Sequence, residues 1–139
     1  MKALKYFWIF VIGLALTSCN TSSSKSSNNQ EVQKVIVDIT PEQLKKDQEE
    51  DIQIVDVRTP EEFKEGHVTG AKNINVFDDN FVKEMETQYK KDEPLYLYCR
   101  SGARSMKAAK MLKKAGYTKI YNVDGGFLAW KSKNYKIEK

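Results

Sequence analysis

The sequence predicts an α/β domain on a mainly parallel central sheet, and three observations lead to it. Short apolar runs of strand length alternate with segments of helical period along residues 35–139. Two of the helical segments open on Thr-Pro, a start signal that places proline where its missing N–H costs nothing. The chain has 139 residues and 16.0 kDa, enough for one ordinary domain and not two. A 40% hydrophobic and 30% charged composition excludes wholesale disorder and a polytopic membrane protein. The net charge of +4 is too small, without a clustered patch, to indicate nucleic-acid binding. Two cysteines and one histidine exclude a disulfide-stapled mini-fold and a self-contained zinc finger.

Taken in order, Val35-Ile-Val-Asp-Ile39 reads as a strand, and Thr40-Pro41-Glu42-Gln43 opens a helix with a capping box. Ile52 to Val57 is a short strand of the buried kind, and Thr59-Pro60-Glu61-Glu62 repeats the capping pattern. A short strand is expected at Asn73–Val76, and a helix from about Asp79 to Tyr89. Leu95-Tyr-Leu-Tyr98 is the clearest central strand, and Ser105 to Ala115 the clearest helix. That helix should bury Ala108, Ala109, Leu112 and Ala115, present Lys107, Lys110 and Lys114 elsewhere, and stop at Gly116 as C′. Lys119–Val123 completes the strands, and Phe127–Trp130 begins a last short helix. No internal repeat is visible.

The N-terminus carries a different signal. Met1-Lys-Ala-Leu-Lys5 precedes an apolar run from Tyr6 to Leu16, a signal peptide by length and flanks. The run is short of the roughly 20 residues that span a bilayer. Leu16-Thr17-Ser18-Cys19 resembles the bacterial lipobox, which implies that Cys19 becomes the lipidated first residue of an exported, membrane-anchored protein. Two acyl chains anchor stably where one is marginal. Residues 1–18 are therefore expected to be removed. The Ser- and Asn-rich residues 19–34 then form a polar, flexible tether ahead of a domain at 35–139. Cleavage takes Lys2 and Lys5 from the small cationic excess, so polybasic attraction to lipid is weak.

With Cys19 lipidated, Cys99 has no partner in the mature chain, and a lone thiol in an exported protein calls for an explanation. It follows the central strand directly and leads through Arg100-Ser101-Gly102-Ala103-Arg104 into a helix. Ligands of α/β proteins bind at this end of a parallel strand. Unpaired N–H groups at a helix start, with Gly102 free to take unusual dihedrals, form an anion cradle. Such a site favours thiolate and should lower the Cys99 pKa, while Arg100 and Arg104 add charge for an anionic substrate.

These residues resemble the single-domain rhodaneses, sulfurtransferases that carry sulfane sulfur on a cysteine. The resemblance covers about residues 35–132. It rests on Asp56-Val-Arg58 with Pro60-Glu-Glu-Phe63, Gly66-His-Val-Thr-Gly-Ala71, Cys99-Arg-Ser-Gly-Ala-Arg-Ser105, and Asp124-Gly-Gly-Phe127 with Trp130. Thr69 departs from the proline found in many members, which affects a turn. The resemblance implies a three-layer domain whose sheet is flanked by helices. It makes Cys99 the persulfide-forming nucleophile, with Arg100, Ser101, Gly102, Ala103 and Arg104 as the substrate cradle. Asp56, Arg58 and Glu62 match a charged cluster read as supporting the loop from behind. His67 matches a turn histidine read as structural, and neither metal nor cofactor is expected.

The reaction so implied moves sulfur from thiosulfate or a similar small anion, through a Cys99 persulfide, to cyanide or a thiol. A protein donor or acceptor is a further partner, and a monomer without nucleic-acid contacts is expected. One rival is cysteine phosphatase or arsenate reductase chemistry. Those loops have Cys-x5-Arg, whereas Cys99 to Arg104 is Cys-x4-Arg, a tighter cradle, and Tyr98 stands where they usually carry histidine. Another is a non-catalytic binding or sulfur-carrier module, for which the Lys107/Lys110/Lys114 stripe would be a docking face. A solvated lysine face is the ordinary reading of that stripe.

Overall fold

The computed structural model describes residues 34–139; the signal-peptide, Cys19 and most of the tether assignments lie outside the described residues. Five strands form one sheet: β1 (Ile36–Ile39), β2 (Gln53–Asp56), β4 (Lys72–Asn73), β5 (Leu95–Tyr98) and β6 (Ile120–Val123). Their spatial order is β1-β6-β5-β2-β4, and every pairing is parallel. Between them run α1 (Pro41–Asp47), α2 (Pro60–Glu65), α3 (Phe81–Gln88), α4 (Ala103–Lys114) and α5 (Gly126–Ser132). A small antiparallel pair, β3 (His67–Val68) with β7 (Ile137–Glu138), lies outside the main sheet. The α/β architecture with helices flanking a parallel sheet is as the sequence predicts.

Strand alternation sorts the side chains into two cores. Val55, Leu95, Leu97 and Ile120 face α3 and α4, meeting Phe81, Met85, Ala108, Ala109 and Leu112. Ile54, Tyr96, Tyr98 and Val123 face the other way, against Leu44 of α1 and Phe127 and Trp130 of α5. All four residues of β5 are buried because both of its faces are covered. Burial of each large side chain contributes on the order of 1.5–3 kcal/mol, so each helix is held chiefly by its apolar stripe.

Local chemistry explains most boundaries. Thr59 and Glu62 form the complete capping box of α2: Thr59 Oγ1 accepts from Glu62 N, and Glu62 Oε2 accepts from Thr59 N. At α1 only half the expected box forms. Thr40 Oγ1 accepts from Gln43 N at 3.3 Å, but the Gln43 side chain turns to Asp47 Oδ1 at 2.6 Å. Helix α4 ends in a Schellman motif, with Tyr117 N–H on Leu112 O and Gly116 N–H on Lys113 O, and Gly116 takes φ 98°. Ala115 is only half-buried, and Lys107, Lys110 and Lys114 are exposed.

Three elements depart from expectation by two residues or more at a boundary. Helix α4 starts at Ala103, two residues early, because Gly102 itself turns the chain into the helix. The strand expected at Asn73–Val76 is regular only at Lys72–Asn73. Its continuation is irregular but still bonded, with Ile74 N–H on Asp56 O and Val76 N–H on Val57 O. Helix α3 begins at Phe81, two residues after the expected start, and its N-cap Asn80 makes no side-chain cap bond.

Candidate active site

The carboxyl ends of β2, β5 and β6 lie side by side, and each is followed by a segment of the site. Cys99 follows Tyr98 of β5 and is 1% exposed. The chain then turns through Arg100 and Ser101, both exposed, to Gly102, which is buried and has φ 100°. That left-handed conformation, unfavourable for other residues, aims the start of α4 back at the thiol. Gly102 N–H donates to Cys99 Sγ at 3.1 Å. The Ser105 hydroxyl lies 3.6 Å from the same sulfur.

Burial pushes the Cys99 pKa up, but the Ser105 hydroxyl and the amides of Ser105, Ser101 and Gly102 outweigh it, so the thiol titrates below its ordinary value. The positive end of α4 adds to the effect. The sulfur thus sits among donors that favour its thiolate, the nucleophilic form.

A second helix start holds the loop from the other side. Phe127 N–H donates to Cys99 O at 2.8 Å and Leu128 N–H to Arg100 O at 3.1 Å. Gly125 (φ 69°) and Gly126 (φ 53°) open α5, and there is no room for a side chain at Gly126. A Cβ there would overlap the Cys99 carbonyl oxygen and sit 2.9 Å from the Arg100 carbonyl.

Behind the loop lie two ion pairs. Asp56, at the end of β2, is fully buried and takes the Arg58 Nε–H on both carboxylate oxygens at 2.9 Å. Arg58 also donates to Gly66 O at 2.7 Å and stacks 4.2 Å from the Phe127 ring centre, linking β2 to the α2–β3 turn and α5. Such a buried pair must be fully hydrogen-bonded to offset its desolvation, and this one is engaged on both oxygens. Glu62 and Arg104 form the second pair, bidentate at 2.6 and 2.7 Å. Arg104 holds the Glu62 carboxyl at about 2, against burial and with help from the Thr59 amide.

The rhodanese-like domain family matches residues 40–133, which include this whole constellation. The chain belongs to the rhodanese-like family. A thiosulfate sulfurtransferase of Arabidopsis thaliana is 35% identical over 127 residues, covering 84% of this chain and 92% of that protein. Thiosulfate sulfurtransferase GlpE of Pseudomonas aeruginosa is 35% identical over 94 residues, 68% of this chain and 83% of its own length. The uncharacterized protein YqhL of Bacillus subtilis is 44% identical over 81 residues, and there the chain spans only 62% of the relative's length. Among solved structures, a rhodanese-like domain protein from Staphylococcus aureus superposes with TM-score 0.63 at 33% identity, covering 74% of this chain and 99% of that one.

Against this rhodanese-like frame, the residues singled out from sequence fall into distinct places. Cys99, Arg100, Ser101, Gly102 and Ala103 form the loop and the start of α4, and Asp56 and Arg58 stand behind it. Arg104, expected to face an anion, has both terminal nitrogens engaged by Glu62, which leaves Arg100 as the exposed cation of the loop. His67 lies in β3, with Nδ1 3.1 Å from Phe63 O, its ring stacked on Phe63 and Nε2 3.7 Å from Glu138 Oε2. Sequence reasoning missed two contributors. Ser105 read only as a helix start and the last residue of the cysteine motif, although its small polar side chain on the otherwise apolar face of α4 was a usable signal. Gly126 read only as part of a motif.

Proposed function

We propose that the protein is an exported, lipid-anchored sulfurtransferase that carries sulfane sulfur on Cys99. The observation that carries this reading is the sulfur itself: buried, within 3.1 Å of the Gly102 amide and shifted toward thiolate. The Cys99 thiolate attacks the outer sulfur of thiosulfate. A new S–S bond forms, the old one breaks, and sulfite leaves with the bonding pair. Cyanide or a thiolate then attacks the outer sulfur of the persulfide, and the pair of that S–S bond returns to Sγ as thiolate. Sulfite is a good leaving group, so neither step needs a histidine, and His67 is engaged elsewhere. The sulfurtransferases among the relatives support thiosulfate as the first donor to test.

The anchor rests on Leu16-Thr17-Ser18-Cys19, which follows the apolar run as a lipobox does. The full chain, solubilised in detergent and exposed to thiosulfate, should gain one sulfur by intact mass. Cyanide should remove it, and Cys99→Ala should abolish it. A reduced, folded protein that gains no sulfur overturns the reading and turns attention to phosphate and arsenate. Cys19→Ala should move the protein out of the membrane fraction without loss of sulfur loading.

A further inference from the structure

The Ser105 hydroxyl has one hydrogen and two acceptors. Its oxygen lies 3.6 Å from Cys99 Sγ and 3.0 Å from Gly102 O, and the side chain is fully buried, so no water competes. Gly102 O already accepts the helical N–H of Met106 at 3.0 Å, so it stays satisfied when the hydroxyl turns away. A thiolate, by contrast, is acceptor-only, and a charge-assisted bond to it outweighs a neutral one to a carbonyl. The lowest-energy partner of the hydroxyl therefore depends on the charge of the sulfur.

We propose that Ser105 is a switching donor, turned to Gly102 O when Sγ is neutral or bonded to sulfur and to Sγ when it is thiolate. This rests on the sulfurtransferase reading, in which Sγ alternates between those states every turnover. The two half-reactions then respond in opposite directions. In loading, Sγ is the nucleophile, and a donor on it lowers its intrinsic reactivity. In discharge, Sγ is the leaving group, and the same donor stabilises the thiolate as the S–S bond breaks. Nucleophilicity falls with thiol pKa with a slope of about 0.4–0.5, whereas a lower leaving-group pKa speeds departure. Ser105 therefore favours discharge over loading.

The test uses the full chain carrying Cys19→Ala, so that Cys99 is the only thiol. Ser105→Ala should raise the pH midpoint of iodoacetamide alkylation by about one unit. Above that midpoint, loading by thiosulfate should be about threefold faster, and discharge by cyanide slower by a similar factor. Ser105→Thr, which keeps the hydroxyl, should restore both. The other charged groups around the sulfur, Arg100, Asp56 with Arg58, Glu62 with Arg104, and Asp124, are common to all the variants and cancel in the comparison. An unchanged alkylation midpoint, or equal slowing of both half-reactions, overturns the proposal. If Ser105→Ala does not fold, Ser105→Val is compared with the isosteric Ser105→Thr, a pair that differs in the hydroxyl and adds no thiol, and is read for the same split. The alkylation midpoint requires no sulfur donor, so a wild-type chain that fails to load removes the sulfurtransferase reading while Ser105 is still judged.

Discussion

Helices α1 and α2 start differently from α4 and α5, and the difference separates scaffold from site. The first two open on Thr-Pro, and their threonine side chains cap the exposed amides. The other two open on left-handed glycines, Gly102 and Gly125, with no side-chain cap. Their free amides go elsewhere: those of α4 to the Cys99 sulfur, those of α5 to the carbonyls of the loop that bears it. A helix that caps itself is finished as a local structure, whereas one that leaves its N–H groups open can hold an anion or another segment. One residue crosses between the groups, since Glu62 completes the α2 box and also binds Arg104 on the first turn of α4.

The largest break in this comparison is Gly126→Ala. The added methyl would meet the Cys99 and Arg100 backbone directly, so α5 can no longer clamp the loop. Displacement of a reacting atom by about 1 Å costs on the order of 100-fold in rate. The stability loss should stay near 1–3 kcal/mol, the ordinary range for overpacking. Thiosulfate loading kinetics and thermal melts on one preparation check both. A variant that loses stability without losing loading rate would show that the clamp is dispensable.

Arg104→Ala comes next. Loss of the charge-assisted pair that ties the first turn of α4 to α2 should lower kcat/KM for thiosulfate by about 1–3 kcal/mol, with Glu62→Gln causing a smaller fall because the guanidinium remains. Unchanged kinetics for Arg104→Ala would show that this pair does not position the Cys99 loop. The same pair sharpens the comparison in acid. The carboxyl of Glu62 is lowered from 4.5 to about 2, first by Arg104. The stability it contributes is thus full above its unfolded value and lost as pH falls toward 2. Melts between pH 5 and 2 should be flatter for Glu62→Gln than for wild type.

What was legible in the sequence divides along the same line. The Thr-Pro starts and the Leu95–Tyr98 strand carry their signals within a few residues, and the structure has all three. The Cys99 loop was legible because strand, glycine and helix follow one another directly. Contacts between distant segments were not. Glu62 meets Arg104 across 42 residues, and the amide of Phe127 meets Cys99 O only because β5 and β6 are neighbours in the sheet. The two-residue strands β3 and β7 are too short for any periodicity to show.

The smallest effects lie within the self-capped pair, where the two threonines are not equivalent. Thr59 takes part in a reciprocal box, and its loss leaves the Glu62 amide without its acceptor while loosening the residue that holds Arg104. Thr40 makes one bond of 3.3 Å, and the side chain that would return it is bound to Asp47 instead. Replacing an N-cap threonine by alanine costs about 0.5–2 kcal/mol, so Thr59→Ala should fall near 1 kcal/mol or above, and Thr40→Ala toward the lower limit. Only Thr59→Ala should also alter thiosulfate loading, by no more than about twofold, because only its helix reaches the loop. Urea unfolding with loading rates for both variants checks this. An activity change in Thr40→Ala would mean that α1, on the far side of the sheet from α4, communicates with the thiol through the Tyr98 and Phe127 core, and the division between self-capped and open helices would fail at its simplest member.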